Sequence, residues 1–207
     1  MARIATIKKE DIFNAALNMT RKSGFDSLSA RSLATKMKMS TQPIFTYFGS
    51  MEEVKKQVYD YAMNMYKTYI YGGNKEINPI LNVAMQYIQF ARDEHEFYKL
   101  LFLSKPKEYY GGANEALKLS QALLREPISK EYNIDTKVMD RYFKDLWLVI
   151  NSIAALTANE ENDYPDEEIK RTVTEVGIAL FKAYKEIDGF YEGTFDGKAV
   201  FQEILKK

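Results

Sequence analysis

The sequence contains no cysteine and only one histidine among its 207 residues. The absence of cysteine excludes disulfides and thiolate chemistry, and with one histidine we expect no charge-relay mechanism either. The chain also lacks any run of the roughly 18 or more uncharged apolar residues that a membrane helix needs. The N-terminus lacks the apolar core of a signal peptide, because the charged run Lys8–Asp11 comes early. We therefore expect a cytoplasmic protein that does not enter a membrane.

The sequence shows no glycine-rich phosphate loop, since Gly111-Gly112 fits a simple turn. The single histidine, His95, lies in the acidic stretch Asp93–Glu96, and such a cluster raises the question of a metal site. Adjacent helical residues point in different directions, however, whereas zinc needs three or four ligands in a tetrahedral array. A solvated helix start is the simpler interpretation. We expect no metal, no cofactor and no enzymatic activity; an enzyme that uses carboxylates is the alternative.

The charge is balanced over the whole chain but unevenly distributed along it. Residues 1–50 hold 8 Lys/Arg against 3 Asp/Glu, whereas residues 51–207 hold 21 against 26. Only the first part is attracted to phosphates. The asymmetry favours a DNA-binding head on a body with another task, and ordinary solvated charge on helices is the alternative.

The segment from Ser29 to Met39 is typical of a short helix followed by a tight turn. Ser29 is a good N-cap, because its hydroxyl accepts from an unpaired amide of the first turn. One apolar face follows at the i, i+3, i+4 and i+7 positions, namely Ala30, Leu33, Ala34 and Met37. Lys38-Met39 then makes the turn.

A second short helix is predicted directly after this turn. Ser40 can cap it, and Pro43 fits its first turn, where a missing amide costs little. Ile44 and Phe48 are expected to face inward. The outward residues are Thr41, Gln42, Phe45, Thr46 and Tyr47. A short helix of this kind, held at roughly 90–120° to its predecessor, is the helix-turn-helix arrangement that fits a DNA major groove.

Apolar periodicity predicts helices along the rest of the chain, and no strand pattern appears. The predicted ranges are 7–23, 51–71, 79–92, 94–103, 113–125, 136–159, 166–187 and 198–206. Ser50 and Glu53 indicate a capping box at the start of the helix 51–71. The sequence thus predicts an all-α fold with an N-terminal helix-turn-helix domain of three helices at 1–50, a connecting helix at 51–71 and a helical body at 72–207.

The N-terminal residues occur in a recognisable order. They are Ile12, Ala15, Ala16, Gly24, Phe25, Ser29, Leu33, Ala34, Ser40, Ile44, Phe45, Phe48, Ser50 and Glu52. Over residues 8–57 this pattern resembles the DNA-binding domain of the tetracycline-repressor (TetR) family of bacterial transcriptional regulators, while the body matches only in helix number and length. The resemblance implies a homodimer that binds a palindromic DNA operator, and a C-terminal domain for ligand binding and dimerisation.

The resemblance also implies which residues contact DNA. Those expected to meet base edges are Thr41, Gln42, Pro43 and Thr46. Gln42 is the best equipped, because its amide can make a bidentate contact to adenine. Arg31 and Tyr47 would hold phosphates or reach a neighbouring base. Simpler interpretations are a helix-starting role for Pro43, a place at the core edge for Tyr47 and a solvated charge for Arg31.

Four residues depart from the family pattern within this domain. They are Lys38 for a turn glycine, Phe45 for a phosphate-binding tyrosine, Tyr47 for a histidine and Met51 for a lysine. Lys38 must adopt a less comfortable backbone angle, and Phe45 cannot donate a hydrogen bond. Cations that can compensate are Lys55, Lys56, Arg3 and Lys8. The departures motivate an alternative, a helical small-molecule- or partner-binding protein of the same fold with weakened or lost DNA binding.

The body carries a set of aromatic residues and one polar amide that indicate a ligand pocket. They are Phe102, Tyr109, Tyr110, Phe143, Trp147 and Asn151. Such a pocket suits an apolar or aromatic ligand, although a plain core is the alternative. The Asn151 amide needs a hydrogen-bond partner or a water molecule within the body. A hydrogen bond across a dimer interface is the alternative. The resemblance implies dimerisation through the helices at 136–159 and 166–187. We therefore expect a homodimeric repressor that a small effector releases from DNA.

Overall fold

The computed structural model describes residues 7–73, 78–104, 112–161 and 164–206. Within these ranges the chain forms ten α-helices and no strand, as the sequence predicts. The helices are α1 (Lys9–Ser23), α2 (Ala30–Met37), α3 (Gln42–Phe48), α4 (Met51–Tyr71), α5 (Pro79–Asp93), α6 (His95–Tyr98), α7 (Gly112–Tyr132), α8 (Thr136–Ala158), α9 (Asp166–Glu186) and α10 (Gly197–Ile204). Among the described helices, none is long and apolar enough to cross a membrane.

The first three helices enclose a small apolar core of their own. Ile12 of α1, Leu33 of α2 and Ile44 of α3 are fully buried, and Leu28 of the connecting segment joins them. Ser29 caps α2 as predicted, because its hydroxyl accepts from the amide of Ser32 at 3.1 Å. This core fixes α3 relative to α2, so the outer face of α3 is presented by a rigid support.

The body is built around α5 and α8, which pack against each other and against α4, α7 and α9. Aromatic rings fill the space between α4, α5 and α8. The ring centroids of Tyr66 and Phe102 are 4.9 Å apart, and those of Tyr87 and Trp147 are 4.4 Å apart. Edge-to-face and tilted contacts of this kind stabilise a core beyond the area that they bury. Between α6 and Ser104, the segment Lys99–Leu103 forms a π-helical turn.

Three local predictions were wrong. The helix predicted at 113–125 runs on to Tyr132 and contains Pro127. Burial of Leu124 and Ile128 on either side of the exposed proline offsets the backbone hydrogen bond that Pro127 cannot make. Ser40 does not cap α3; Thr41 occupies the cap position without a side-chain hydrogen bond.

The third error concerns the start of α4. Ser50 accepts from the amide of Glu53 at 3.1 Å, as the capping box requires. The Glu53 carboxylate, however, accepts from the Gln57 side chain at 2.8 Å, one turn further along the helix. Only half of the predicted capping box therefore forms.

Candidate nucleic-acid interface and ligand cavity

Helix α3 has one buried and one exposed face, as its apolar spacing predicts. Ile44 and Phe48 are buried, whereas Phe45 is 45 % exposed and Tyr47 is 40 % exposed. The Tyr47 hydroxyl donates a hydrogen bond of 2.9 Å to the backbone carbonyl of Ile7, which ties the start of the described chain to α3. Tyr47 is therefore exposed at the surface and also holds the segment before α1 against α3.

The remaining predicted DNA contacts lie around this face. Gln42 and Thr46 are exposed on α3, and the Thr46 hydroxyl donates to the Gln42 carbonyl at 3.0 Å, within the helix. Thr41 and Pro43 are half-buried at the start of the helix, and Arg31 is exposed on α2. The structure therefore brings the α3 residues together on one surface, with Arg31 on the preceding helix.

Lys55 occupies a different setting on α4. Its ammonium lies 5.5 Å from the centre of the Phe25 ring, a distance at which a cation is attracted to the ring face. Lys56, its neighbour, pairs with Asp60 at 2.6 Å. Met51, which replaces a family lysine, packs half-buried against the core. The start of α4 is thus less free to bind phosphate than its lysine count indicates.

The turn between α2 and α3 retains a tight geometry although it contains no glycine. Lys38 has φ +53° and ψ +43°, the left-handed conformation expected where a lysine replaces a turn glycine. A side chain in this region costs roughly 1 kcal/mol or more. The amide of Met39 donates to the Ala34 carbonyl at 3.0 Å, which closes the end of α2. The lysine is therefore tolerated, and the angle between the two helices does not depend on a glycine.

A cleft beside α2 brings together residues that no sequence motif singled out as a set. It has a volume of about 510 Å³ and lies between α1 and α2. Its walls are formed by Asn18, Met19, Lys22, Ser23, Ser29, Arg31, Ser32, Thr35 and Lys36. This set includes three cations, several hydroxyls and no acid. The sequence signal was the excess of cations in residues 1–50, but only the packing of α1 on α2 shows that Lys22 and Lys36 share one cleft with Arg31.

The described residues of the predicted ligand pocket lie in the aromatic core of the body. Phe102, Phe143 and Trp147 are buried, with no more than 5 % of each exposed. Tyr109 and Tyr110 lie outside the described residues. These three rings pack against other rings of the core, which corresponds to the simpler interpretation of the aromatic set.

Asn151 has found polar partners within the core. Its side-chain oxygen accepts hydrogen bonds from the Tyr87 hydroxyl at 2.8 Å and the Tyr98 hydroxyl at 3.2 Å. The two hydroxyls also lie 3.2 Å from each other. Burial raises the pKa of Tyr98 to about 12 and raises that of Tyr87 well above its ordinary value. The three side chains form a neutral network at physiological pH.

A cavity of about 620 Å³ lies elsewhere in the body, between α5, α7, α8 and α9. Apolar side chains form most of its wall, including Leu81, Leu146 and Phe181, while Lys182, Lys185 and Glu186 of α9 stand at its edge. None of Phe102, Phe143, Trp147 and Asn151 lines this cavity. Its volume falls within the range of about 300–1,000 Å³ that is typical of small-molecule sites.

The acidic stretch around His95 forms no metal cluster. Among the described residues, no group of three or more His, Asp or Glu side chains is arranged to hold a metal ion. Glu94 instead binds Arg21, and Glu96 accepts from Lys99 at 3.0 Å.

The fold places the chain in one class of protein, in which a helix-turn-helix precedes a helical body. No protein-family model and no curated protein matches the sequence. Solved structures do match. A TetR-family regulator from Streptomyces coelicolor superposes with a TM-score of 0.63 at 13 % identity, covering 95 % of each chain. A TetR-like regulator from Rhodococcus sp. RHA1 gives 0.60 at 12 % identity, covering 86 % of this chain and 96 % of that one.

A third structure, of the multidrug binding protein EbrR complexed with imidazole, gives a TM-score of 0.58 at 16 % identity, covering 83 % of this chain and 95 % of that one. At such identities the matches establish the fold. The chain has the fold of the TetR-family transcriptional regulators, and the predicted resemblance is confirmed at that level.

Proposed function

We propose that the protein is a homodimeric, ligand-responsive transcriptional regulator that acts in the cytoplasm and represses by binding a palindromic operator. The observation that carries this proposal is the exposed face of α3, with Gln42, Phe45 and Thr46 on a helix held rigidly by Ile44 and Phe48. In a helix-turn-helix protein this helix enters the major groove, and the preceding helix crosses the backbone.

The distribution of charge around α2 supports contact with DNA. Lys22, Arg31 and Lys36 line one cleft, and none of the three has an ion-pair partner within the described ranges. An uncompensated positive cleft beside the helix that crosses the backbone is complementary to phosphates. We propose that it contributes affinity, whereas α3 contributes sequence preference.

Two copies would join through α8 and α9. Leu148 of α8 is 61 % exposed, a large apolar side chain on one of the two helices implied to dimerise. Half-buried Val176 and Ala183, with exposed Ala179, extend along one flank of α9. The two alanines allow helices to approach closely in a four-helix bundle. The two recognition helices would then meet half-sites about 34–36 Å apart.

An effector would act by shifting the population between two dimer geometries. A small-molecule site in the body is supported by the cavity between α5, α7, α8 and α9, and the multidrug binding protein of the same fold was solved with a small molecule bound. For tenfold release from DNA, the ligand must favour the released geometry by about 1.4 kcal/mol.

A second candidate is a helical small-molecule- or partner-binding protein of the same fold with weakened or lost DNA binding. It is favoured by exposed Phe45, which offers no hydrogen bond to phosphate, and by half-buried Met51 at the start of α4. The two candidates differ in what they predict for DNA at low salt.

The test is a titration of random duplex DNA followed by fluorescence anisotropy over a range of salt. A DNA-binding regulator should bind at low salt and weaken steeply, with a slope of about −0.9 for each phosphate contacted. The change Lys22→Gln or Lys36→Gln should reduce this slope by about one contact, whereas Lys118→Gln, an exposed lysine of α7, should not. Indifference to DNA at low salt would favour the second candidate. Selection of bound fragments from the source genome then identifies the operator.

A further inference from the structure

We infer that the cavity between α5, α7, α8 and α9 binds a small organic anion, a carboxylate or sulfonate with an apolar or aromatic body. The inference rests on the proposed function only for the consequence of binding, namely release from DNA. Binding itself is a property of the helical body and is measurable without DNA.

The apolar part of the cavity determines the body of the ligand. Leu81 of α5, Ile128 of α7, Leu146 of α8 and Phe181 of α9 come from four different helices to form its wall. Ile128 and Leu146 are buried, while Leu81 and Phe181 are partly exposed. A wall of this composition gains free energy by covering apolar surface, so it selects a ligand with a hydrocarbon or aromatic portion.

The charges at the mouth determine the head group. Lys182 and Glu186 lie one turn apart on α9 and pair at 3.8 Å. The charge of Glu186, the single carboxylate of the lining, is therefore balanced by a lysine of the same helix. Lys185 has no acidic partner among the described residues, and its ammonium lies 5.6 Å from the centre of the Phe181 ring. An apolar wall with one uncompensated cation at its edge is complementary to an anion with an apolar tail.

Hydrogen-bonding groups lie on the same wall. The Asn78 side chain caps α5 by accepting from the amides of Ile80 and Leu81, and its NH₂ group donates to the Tyr132 hydroxyl at 2.9 Å. The Tyr142 hydroxyl donates to the Gly177 carbonyl at 3.1 Å. These bonds hold the polar groups of the wall in place, so the site is largely formed before a ligand enters.

The mouth of the cavity does not coincide with the proposed dimer face. With 3.6 residues per turn, Ile178 and Lys185 lie on one flank of α9, and Val176 and Ala183 lie on the opposite flank. Ile178 is 64 % exposed at the cavity edge. A second copy of the chain that packs on the Val176 flank leaves the cavity open to a small ligand. The charges at the mouth favour such a ligand as the occupant.

The experiment uses two fluorescent probes that share one aromatic body and differ by a sulfonate group. 1-Anilinonaphthalene-8-sulfonate carries an anionic group, and N-phenyl-1-naphthylamine has the same aromatic body without it. Both are titrated against the full chain. We expect the sulfonate to bind more tightly, and Lys185→Met to weaken it by about three- to fivefold while the neutral probe is unchanged. The control Lys118→Met, outside the cavity, should leave both affinities unchanged.

A second variant tests the location. Thr174 is exposed and lines the cavity, so Thr174→Trp fills the mouth without disturbing the core. It should weaken both probes by about tenfold or more. Equal affinity of the two probes for the wild-type chain, no effect of Lys185→Met, or no effect of Thr174→Trp would each overturn the inference. A chain that binds the sulfonate as expected but does not bind DNA would refute the proposed function and leave this site standing.

Discussion

Arg21 and Glu94 form a bidentate ion pair between the helix-turn-helix domain and the body. The Arg21 Nε donates to Glu94 Oε2 at 2.8 Å and the Nη2 donates to Oε1 at 2.9 Å. The guanidinium also lies 4.9 Å from the centre of the Phe97 ring. The pair joins the last turn of α1 to the junction between α5 and α6.

Removing this pair should reduce stability. We expect Glu94→Gln to lower the free energy of unfolding by about 1–2 kcal/mol, less than a fully buried charge-assisted pair because Arg21 is about one-third exposed. Urea denaturation of Arg21→Gln, Glu94→Gln and the double variant gives the coupling energy. Asp60→Asn, which breaks the exposed Lys56–Asp60 pair, is the control and should change stability less. Additive effects of the two changes would show that the pair contributes nothing.

Gln42 is predicted to discriminate among operators. Gln42→Ala should weaken binding to the selected operator by about 5- to 150-fold, the equivalent of 1–3 kcal/mol, because a bidentate contact to a base is lost. Affinity for random DNA should be unchanged. Gln202→Ala, an exposed glutamine on α10, should change neither. A uniform loss on both kinds of DNA would place Gln42 at the backbone instead.

Leu148 is predicted to lie in the dimer interface. Leu148→Glu should shift the sedimentation mass from two copies towards one, because a charge cannot be buried there without a partner. Leu205, directly after α10, is even more exposed, and Leu205→Glu should leave the mass unchanged. If Leu205→Glu dissociates the dimer and Leu148→Glu does not, the interface lies at the C-terminal end of α10.

The network around Asn151 is predicted to stabilise the body. Asn151→Leu leaves the hydroxyls of Tyr87 and Tyr98 without their shared acceptor, and we expect a loss of about 1–3 kcal/mol in urea denaturation. Adding Tyr87→Phe and Tyr98→Phe to this variant should recover part of the loss, because no buried hydroxyl then lacks a partner. Ser152→Ala, whose hydroxyl is exposed and donates to the carbonyl of Leu148, is the neighbouring control.

The buried tyrosines predict how stability responds to alkali. Burial raises the pKa of Tyr98 and of Tyr142 to about 12, against about 10 in the unfolded chain. Above pH 10 the unfolded state therefore loses protons that the folded state keeps, and stability falls as the pH rises towards 12. The loss is about 1.4 kcal/mol for each pH unit and each such tyrosine. Absorbance of tyrosinate at 295 nm at pH 11 should be lower in the native chain than in guanidinium.

Most of the secondary structure and the exposed face of α3 were predictable from sequence, because their causes are local. Ser29 caps α2 through its own neighbours, and the spacing of Ile44 and Phe48 determines which side of α3 is exposed. The left-handed conformation of Lys38 was also predictable, because the resemblance places Lys38 where the family has a turn glycine. Local rules erred at Pro127, where burial of the flanking side chains outweighs the missing hydrogen bond.

The tertiary structure alone decided which distant residues meet. The partners of Asn151 are 64 and 53 residues away, and Arg21 reaches Glu94 across 73 residues. The cavity exists because four helices leave space between them, and packing rather than a sequence motif sets its position. Periodicity assigns a side chain to the buried or the exposed face of its own helix. Which other side chain it contacts there is decided only when the helices pack together.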